Sequence, residues 1–251
     1  MKPLVVVILV VSIIGNLVGT YIFYKALKLR EEVKMFQRYH SDLKEKYEAT
    51  KADFPGLSVY AEENKRLLNS TTPEERKQMT IMYGASITKY FDPEKFLSGK
   101  KVINRGIGSQ VGYQLVTRFH SDVLQLEPGH VVLKLCSGNF YPEYNLDENW
   151  DLYEAMILMA QSHGIKPLLA TVIPVTRSGE RFENYSVTAK IVEFNNRLKD
   201  YARKNKLQVI DYYGAMADSE GFLPDSLARD QIHPNDKGCM VMANVLTPVL
   251  N

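Results

Sequence analysis

Near the C-terminal end, in the stretch DQIHPNDKG, an aspartate and a histidine stand three residues apart, Asp230 and His233. Where such a pair occupies a turn entering a helix, the carboxylate can fix the imidazole tautomer and leave the other ring nitrogen free to act as a base. Pro234 suits a rigid lead-in to a last helix whose first turn would include Asp236. A base needs a group to activate, and the run IMYGASITKYF offers Ser86. Gly84 breaks that apolar run and permits a tight turn, and SITKYF can start a helix, which would put the Ser86 N–H at a positive helix terminus. Serine is also a favoured N-cap, and the stretch by itself favours the cap over a nucleophile. His40, His120, His130 and His163 have no comparable partner and are expected to pack or face solvent.

Two further places carry groups that could hold an anion. NRGIGSQVGY has small residues able to turn backbone N–H groups of Gly108 and Ser109 into a crevice, or to serve only as a glycine-rich reversal. It is not a dinucleotide fingerprint: Gly106, Gly108 and Gly112 miss the G-x-G-x-x-G spacing, and Asp122 comes too early for the ribose acid. CSGNFY offers the side-chain amide of Asn139, although an asparagine in a loop more often makes a local turn. A polar loop, PVTRSGERFENYS, adds Arg177 and Arg181 as candidate substrate contacts, with a solvated loop as the plainer reading.

These groups must be positioned by the elements between them. Apolar runs at MTIMYG, KVIN, HVVLKLC, KPLLATVI and LQVIDYY alternate with amphipathic stretches over about 111–125, 148–163, 187–205 and 236–246. Continuous apolar strands separated by helices predict a parallel sheet covered on both faces, hence an α/β protein: a three-layer α/β/α sandwich with a flavodoxin-like, five-stranded parallel sheet. In such sheets the ligand crevice lies beyond the carboxyl ends of the strands, where Ser86, Ser109 and Asn139 fall.

The chain has 251 residues, of which 45% are hydrophobic, enough for one sizeable globular domain plus an appendage. A net charge of +2 leaves no nucleic-acid footprint. Cys136 and Cys239 lie far apart without metal-ligand spacing, so a disulfide framework or an ordinary zinc site is excluded; two buried thiols are expected, with a single bridge as the alternative. Nothing calls for a cofactor or a metal. From Pro3 to Tyr24 there is no charge, a length sufficient to cross a bilayer core of ~30 Å. Residues 1–27 therefore read as an uncleaved transmembrane anchor, with a signal peptide cut after Gly19 as the rival. Residues 28–58 read as a helical stalk and linker, with Val33, Phe36, His40, Leu43 and Tyr47 along one stripe. Either it packs on the domain or it forms a short coiled coil that self-associates. Residues 59–251 form the globular domain. Asn69-Ser70-Thr71 and Asn184-Tyr185-Ser186 fit glycosylation sequons, which matter only in a eukaryotic secretory protein.

Taken together, GASIT, NRGIGSQ, SGNF and DQIHPNDKG, with the approach YAEENKRLL, resemble the four blocks of the SGNH subgroup of the GDSL-type hydrolases over about residues 60–250. The resemblance implies the SGNH hydrolase fold, a serine esterase and an acyl-enzyme. Ser86 would be the nucleophile, His233 the base and Asp230 its orienting carboxylate. The oxyanion hole would use the N–H groups of Ser86 and of Ser109 or Gly108, with the Asn139 amide. Three positions depart from the family: Ala85 replaces its aspartate, Ser109 its glycine and Phe140 its second acid. A lost oxyanion donor costs on the order of 10²–10³ in rate. The expected substrate is a small-molecule, lipid or carbohydrate ester. The alternative is a weakly active or inactive SGNH-fold protein that binds acylated glycans or assists cell-envelope polymer modification. Basic residues after the anchor would hold the domain in the cytoplasm. Anchored relatives of this kind act on exported substrates, so an extracytoplasmic domain is expected, with the cytoplasmic side left open.

Overall fold

The computed structural model describes residues 3–250, without the side chains of 5–10, 46 and 49. It divides into two units, 1–52 and 53–251. In the first, helix α1 runs from Pro3 to Ala52. Among the described residues no helix is long and apolar enough to cross a membrane. This overturns the expected single-pass anchor and the extracytoplasmic placement that depended on it. Part of the uncharged stretch, 5–10, lies outside the described side chains. In the rest, Ser12, Asn16 and Thr20 interrupt the apolar run, and Lys25 and Lys28 follow. The amide of Asn16 and the hydroxyl of Thr20 bond back to the carbonyls of Ser12 and Asn16, at 3.0 and 2.8 Å. About 20 predominantly apolar residues are needed for a span, and beyond residue 10 the described side chains offer only the stretch from Val11 to Tyr24 before Lys25. Val33, Phe36, Leu43 and Tyr47 are exposed along the same helix.

The second unit carries the site. Its elements, in chain order, are α2 (Ala61–Ser70), α3 (Pro73–Arg76), β1 (Thr80–Gly84), α4 (Ser86–Lys89), α5 (Pro93–Phe96), β2 (Val102–Gly106), α6 (Gly112–Asp122) and β3 (His130–Lys134). They continue with α7 (Leu146–Ser162), β4 (Lys166–Ala170), α8 (Val187–Asn205), β5 (Gln208–Ile210), α9 (Tyr212–Met216) and α10 (Asp236–Leu246). All strand pairs are parallel and the order is β2-β1-β3-β4-β5, the doubly wound order expected.

Alternate strand residues feed two cores. Ile81, Tyr83, Val131, Leu133 and Leu169 face α6, α7 and α8. Met82, Val132, Leu168, Ala170 and Ile210 face α9, α10 and the segment after β1. With helices on both faces the strands have no solvent side, which is why they read as unbroken apolar runs.

Register aligns the strand ends. Gly84 lies beside Gly106 of β2 and Lys134 of β3, so the segments after β1, β2 and β3 leave one edge of the sheet together. Close approach, and no left-handed turn, is what requires glycine at 84. A β-carbon there would meet the Lys134 carbonyl at 2.6 Å and Thr88 Oγ1 at 2.5 Å. At Gly106 a β-carbon would collide with the backbone of Thr88 and Lys89, so β2 can pass beneath α4 only as glycine.

Candidate active site

Ser86 is the first residue of α4, a single turn, and its side chain caps nothing. Its Oγ lies 2.8 Å from Nε2 of His233, 147 residues away. The capping use that the local sequence favoured is therefore not the one the hydroxyl adopts.

His233 is held in a small closed loop. Residues 228 and 234 form an isolated antiparallel bridge, and the Arg229 N–H donates to the His233 carbonyl at 2.8 Å. Within this loop Asp230 Oδ1 accepts the N–H groups of Ile232 and His233, at 3.0 and 2.9 Å. Both Asp230 oxygens lie 2.9 Å from His233 Nδ1. Burial pushes the Asp230 carboxyl up, but those N–H bonds and the imidazole outweigh it and hold it below its usual 3.8. An ionised carboxylate selects the tautomer with its proton on Nδ1 and leaves the Nε2 lone pair towards Ser86. From outside, Thr176 braces the loop, its N–H and hydroxyl both donating to the Gln231 carbonyl at 3.0 and 3.1 Å. Below it Asn235 caps α10. Tyr90, one turn on from Ser86, meets the imidazole edge-on with ring centroids 5.8 Å apart, and Arg229 lies over the tyrosine's ring at 4.7 Å.

The opposite wall carries the expected anion donors. Ser109 has φ +63°, in the left-handed region a serine rarely adopts. The N–H groups of Ser86, Gly108 and Ser109 have no acceptor among the described residues. A cavity of about 370 Å³ is lined by Ser86, His233, Gly108, Ser109, Gln110, Gly138 and Tyr141, together with Cys136 and Glu143. A larger hollow of about 570 Å³ on the other side of Tyr90 contains neither Ser86 nor His233.

Asn139 stands behind Gly138, fully buried. Its Oδ1 accepts the Gly112 N–H at 2.9 Å, and one N–H of its amide goes to the Cys136 carbonyl at 3.1 Å, leaving the second uncommitted among the described residues. Asn149 fixes its carbonyl at 2.5 Å. Phe140, in place of the family's acid, is buried against Phe194 at 5.1 Å and anchors this turn in the core. Ser137 is buried with its hydroxyl unpartnered among the described residues.

Arg177 and Arg181 do not join the cavity wall. Arg177 pairs with Glu220 and lies over Phe222, while Arg181 lies over the Tyr141 ring at 5.2 Å. Their loop is solvated only in part, for Pro174, Val175 and Thr176 are buried. Both cysteines are free and buried, and burial, followed by Asp236, pushes the Cys239 thiol up to about 11. Sequence reasoning missed Tyr90, Gln110, Cys136 and Thr176. Of these only Tyr90, one helical turn beyond Ser86, had a local signal.

A relative 27% identical over 150 residues is an acetylxylan esterase of Xylanibacter ruminicola; the match spans 51% of this chain and 30% of that esterase's length. Among solved structures, a GDSL-like lipase from Bacteroides thetaiotaomicron is 27% identical, with a TM-score of 0.71 over 79% of this chain and 98% of its own. An acetyl xylan esterase 24% identical, at TM-score 0.56 over 69% of this chain and all of its own, shares the fold. A sequence profile of the GDSL-like lipase/acylhydrolase family matches residues 82–240, from the strand before Ser86 to the helix after His233. The chain belongs to that family.

Proposed function

We propose that the protein is a serine esterase that removes short acyl groups, acetyl foremost, from hydroxyls of carbohydrates or other small alcohols. The observation that carries this reading is the continuous chain from hydroxyl to imidazole to carboxylate, Ser86, His233 and Asp230, with contacts of 2.8 and 2.9 Å. Ser86 Oγ attacks the ester carbonyl as His233 Nε2 takes its proton, and the tetrahedral intermediate places negative charge on the former carbonyl oxygen. The imidazolium is stabilised by Asp230 and returns the proton to the departing alkoxide, leaving an acyl-serine. Water, activated by the same nitrogen, then hydrolyses the acyl-enzyme.

The N–H groups of Ser86 and of Ser109 or Gly108 serve as oxyanion donors, joined by the free amide N–H of Asn139. Only a backbone N–H is needed at position 109, and the left-handed turn supplies one from a serine. The missing family aspartate leaves Ala85, 1% exposed, packed in the core beside the strand end. Acylated carbohydrate is the favoured substrate because of the acetylxylan esterase relative and because Tyr90 and Tyr141 line the cavity with rings on which a sugar can rest. The binding-only alternative finds less support, since an assembled serine, histidine and carboxylate has no purpose in mere binding. Ser86→Ala is expected to abolish hydrolysis of 4-nitrophenyl acetate, by about 10⁴-fold or more in kcat, with an unchanged melting temperature. An unaltered rate would sink the reading.

A further inference from the structure

A serine at φ +63° is strained and persists only where the surroundings impose it. The next residue, Gln110, is 4% exposed and bonded at both ends of its amide. Its Oε1 accepts from Arg118 Nε at 2.5 Å, and its Nε2 donates to the Pro55 carbonyl at 2.7 Å. Arg118 is fully buried. It gives one nitrogen to Asp122 at 2.7 Å and another to the Gly84 carbonyl at 2.9 Å, with its plane over the Tyr83 ring at 4.3 Å. A guanidinium that needed only neutralising would pair with its carboxylate through two parallel bonds. Here the N–H groups are divided among three segments, and one of them, Gly84, lies two residues before Ser86. A single buried group thus ties the strand that presents Ser86 to the loop that presents the N–H groups of Gly108 and Ser109.

We propose that Gln110, clamped by Arg118, is a positioning residue of the oxyanion hole: it imposes the left-handed turn at Ser109 and sets the distance of the Gly108 and Ser109 N–H groups from Ser86. This rests on the esterase reading above. Gln110 borders the same cavity, but both ends of its amide are spent on Arg118 and Pro55, so it acts through the backbone beside it. A displacement of about 1 Å at such donors is enough to cost on the order of 10² in rate.

The full chain would be assayed with 4-nitrophenyl acetate as Gln110→Met and Gln110→Glu, alongside Ser86→Ala. Melting temperatures and inhibition by phenylboronic acid, which forms a tetrahedral adduct on an active serine, would be measured in parallel. Gln110→Met keeps the volume but removes both hydrogen bonds. It should lower kcat about 10- to 100-fold with KM within about twofold, and weaken boronic-acid inhibition by a similar factor. Gln110→Glu keeps an acceptor for Arg118 and should recover kcat to within about threefold of the wild type. Should Gln110→Met fail to fold, Gln110→Asn, one methylene too short to reach Arg118, carries the same expectation. Wild-type kcat in the Met or Asn variant overturns the proposal. So does a raised KM at unchanged kcat, which would mark a substrate contact, or a Glu variant as impaired as Met, which would place the constraint at Pro55. If hydrolysis proves independent of Ser86, the esterase reading itself fails. Dependence on Ser86 with a wild-type Met variant defeats the positioning role alone.

Discussion

The two walls of the cavity are built by opposite means. On the His233 side the decisive bonds are local, three residues or fewer apart between Asp230, Ile232 and His233, and the Asp230 side chain is 46% exposed. On the Ser109 side they reach far along the chain: Gln110 to Pro55, Arg118 to Gly84, and Asn64 to both Arg105 and Asp122. Nearly every one of these side chains is buried. The first wall holds the groups proposed to move protons, and the second holds the backbone donors proposed to receive charge. An exposed loop fixed by its own backbone loses little when a side chain is changed. A buried polar network is costly to interrupt, because each orphaned partner loses about 1–3 kcal/mol.

That contrast can be broken by variants on each side. The largest effect on rate is expected for His233→Ala, a loss of about 10⁴-fold or more in kcat with stability within about 1 kcal/mol of wild type. Steady-state kinetics paired with thermal unfolding would read both. Asp230→Asn should lose about 10²- to 10⁴-fold, again with little change in melting temperature, since the loop closes through backbone bonds. Asn139→Ala tests the other wall. There kcat should fall by about 10²–10³ and stability by about 1–3 kcal/mol, because Gly112 loses its acceptor. A large activity loss at unchanged stability would erase the distinction between the walls.

The remaining two predictions concern charge. Because the Asp230 carboxyl is depressed in the fold, its contribution to stability is present above the unfolded value and disappears as pH falls through the folded one. Melting curves of wild type and Asp230→Asn should therefore run parallel above pH ~5 and differ in slope only below about pH 4. Smallest is Lys134, which ends β3 on the buried side with, among the described residues, only the Leu135 carbonyl as partner, at 3.1 Å. Burial holds its amine below 10.5, with nearby Cys136 as the lesser, opposing influence. The unfolded chain then binds more protons, so stability rises with pH through the window that closes near 10.5. Lys134→Met should raise the melting temperature at pH 7 by about 2–4 °C, and a fall would mean that the amine is satisfied.

Much of this architecture was legible beforehand because its signals are local. The five apolar runs became the five strands, and α8 and α10 begin and end where their amphipathic patterns do, at Val187–Asn205 and Asp236–Leu246. Asp230 and His233 announced themselves by spacing within one turn. The N-terminal stretch reads as a span by its lack of charge, yet among the described residues no helix is long and apolar enough to cross a membrane, and Ser12, Asn16 and Thr20 stand in it as uncharged polar residues. Gly84 was read as a turn glycine, while its role is to let Lys134 and Thr88 come close, a contact between segments that no local pattern records.

The sequence by itself determined the parallel sheet, the helices that cover it and the residue types at the strand ends, since these follow from periodicity and from chemistry within a few residues. Only the tertiary structure decided which partner the Ser86 hydroxyl meets. That hydroxyl could cap a helix or meet a base, and that choice was made by an imidazole 147 residues away, brought within 2.8 Å by the packing of α10 against the sheet and the bridge at 228 and 234. The same holds for Gln110 and Arg118, whose value lies in joining segments that are neighbours in space alone. A buried hydrogen bond depends on the coincidence of three or four chain segments at one point, and composition and spacing along a single segment carry no record of that coincidence.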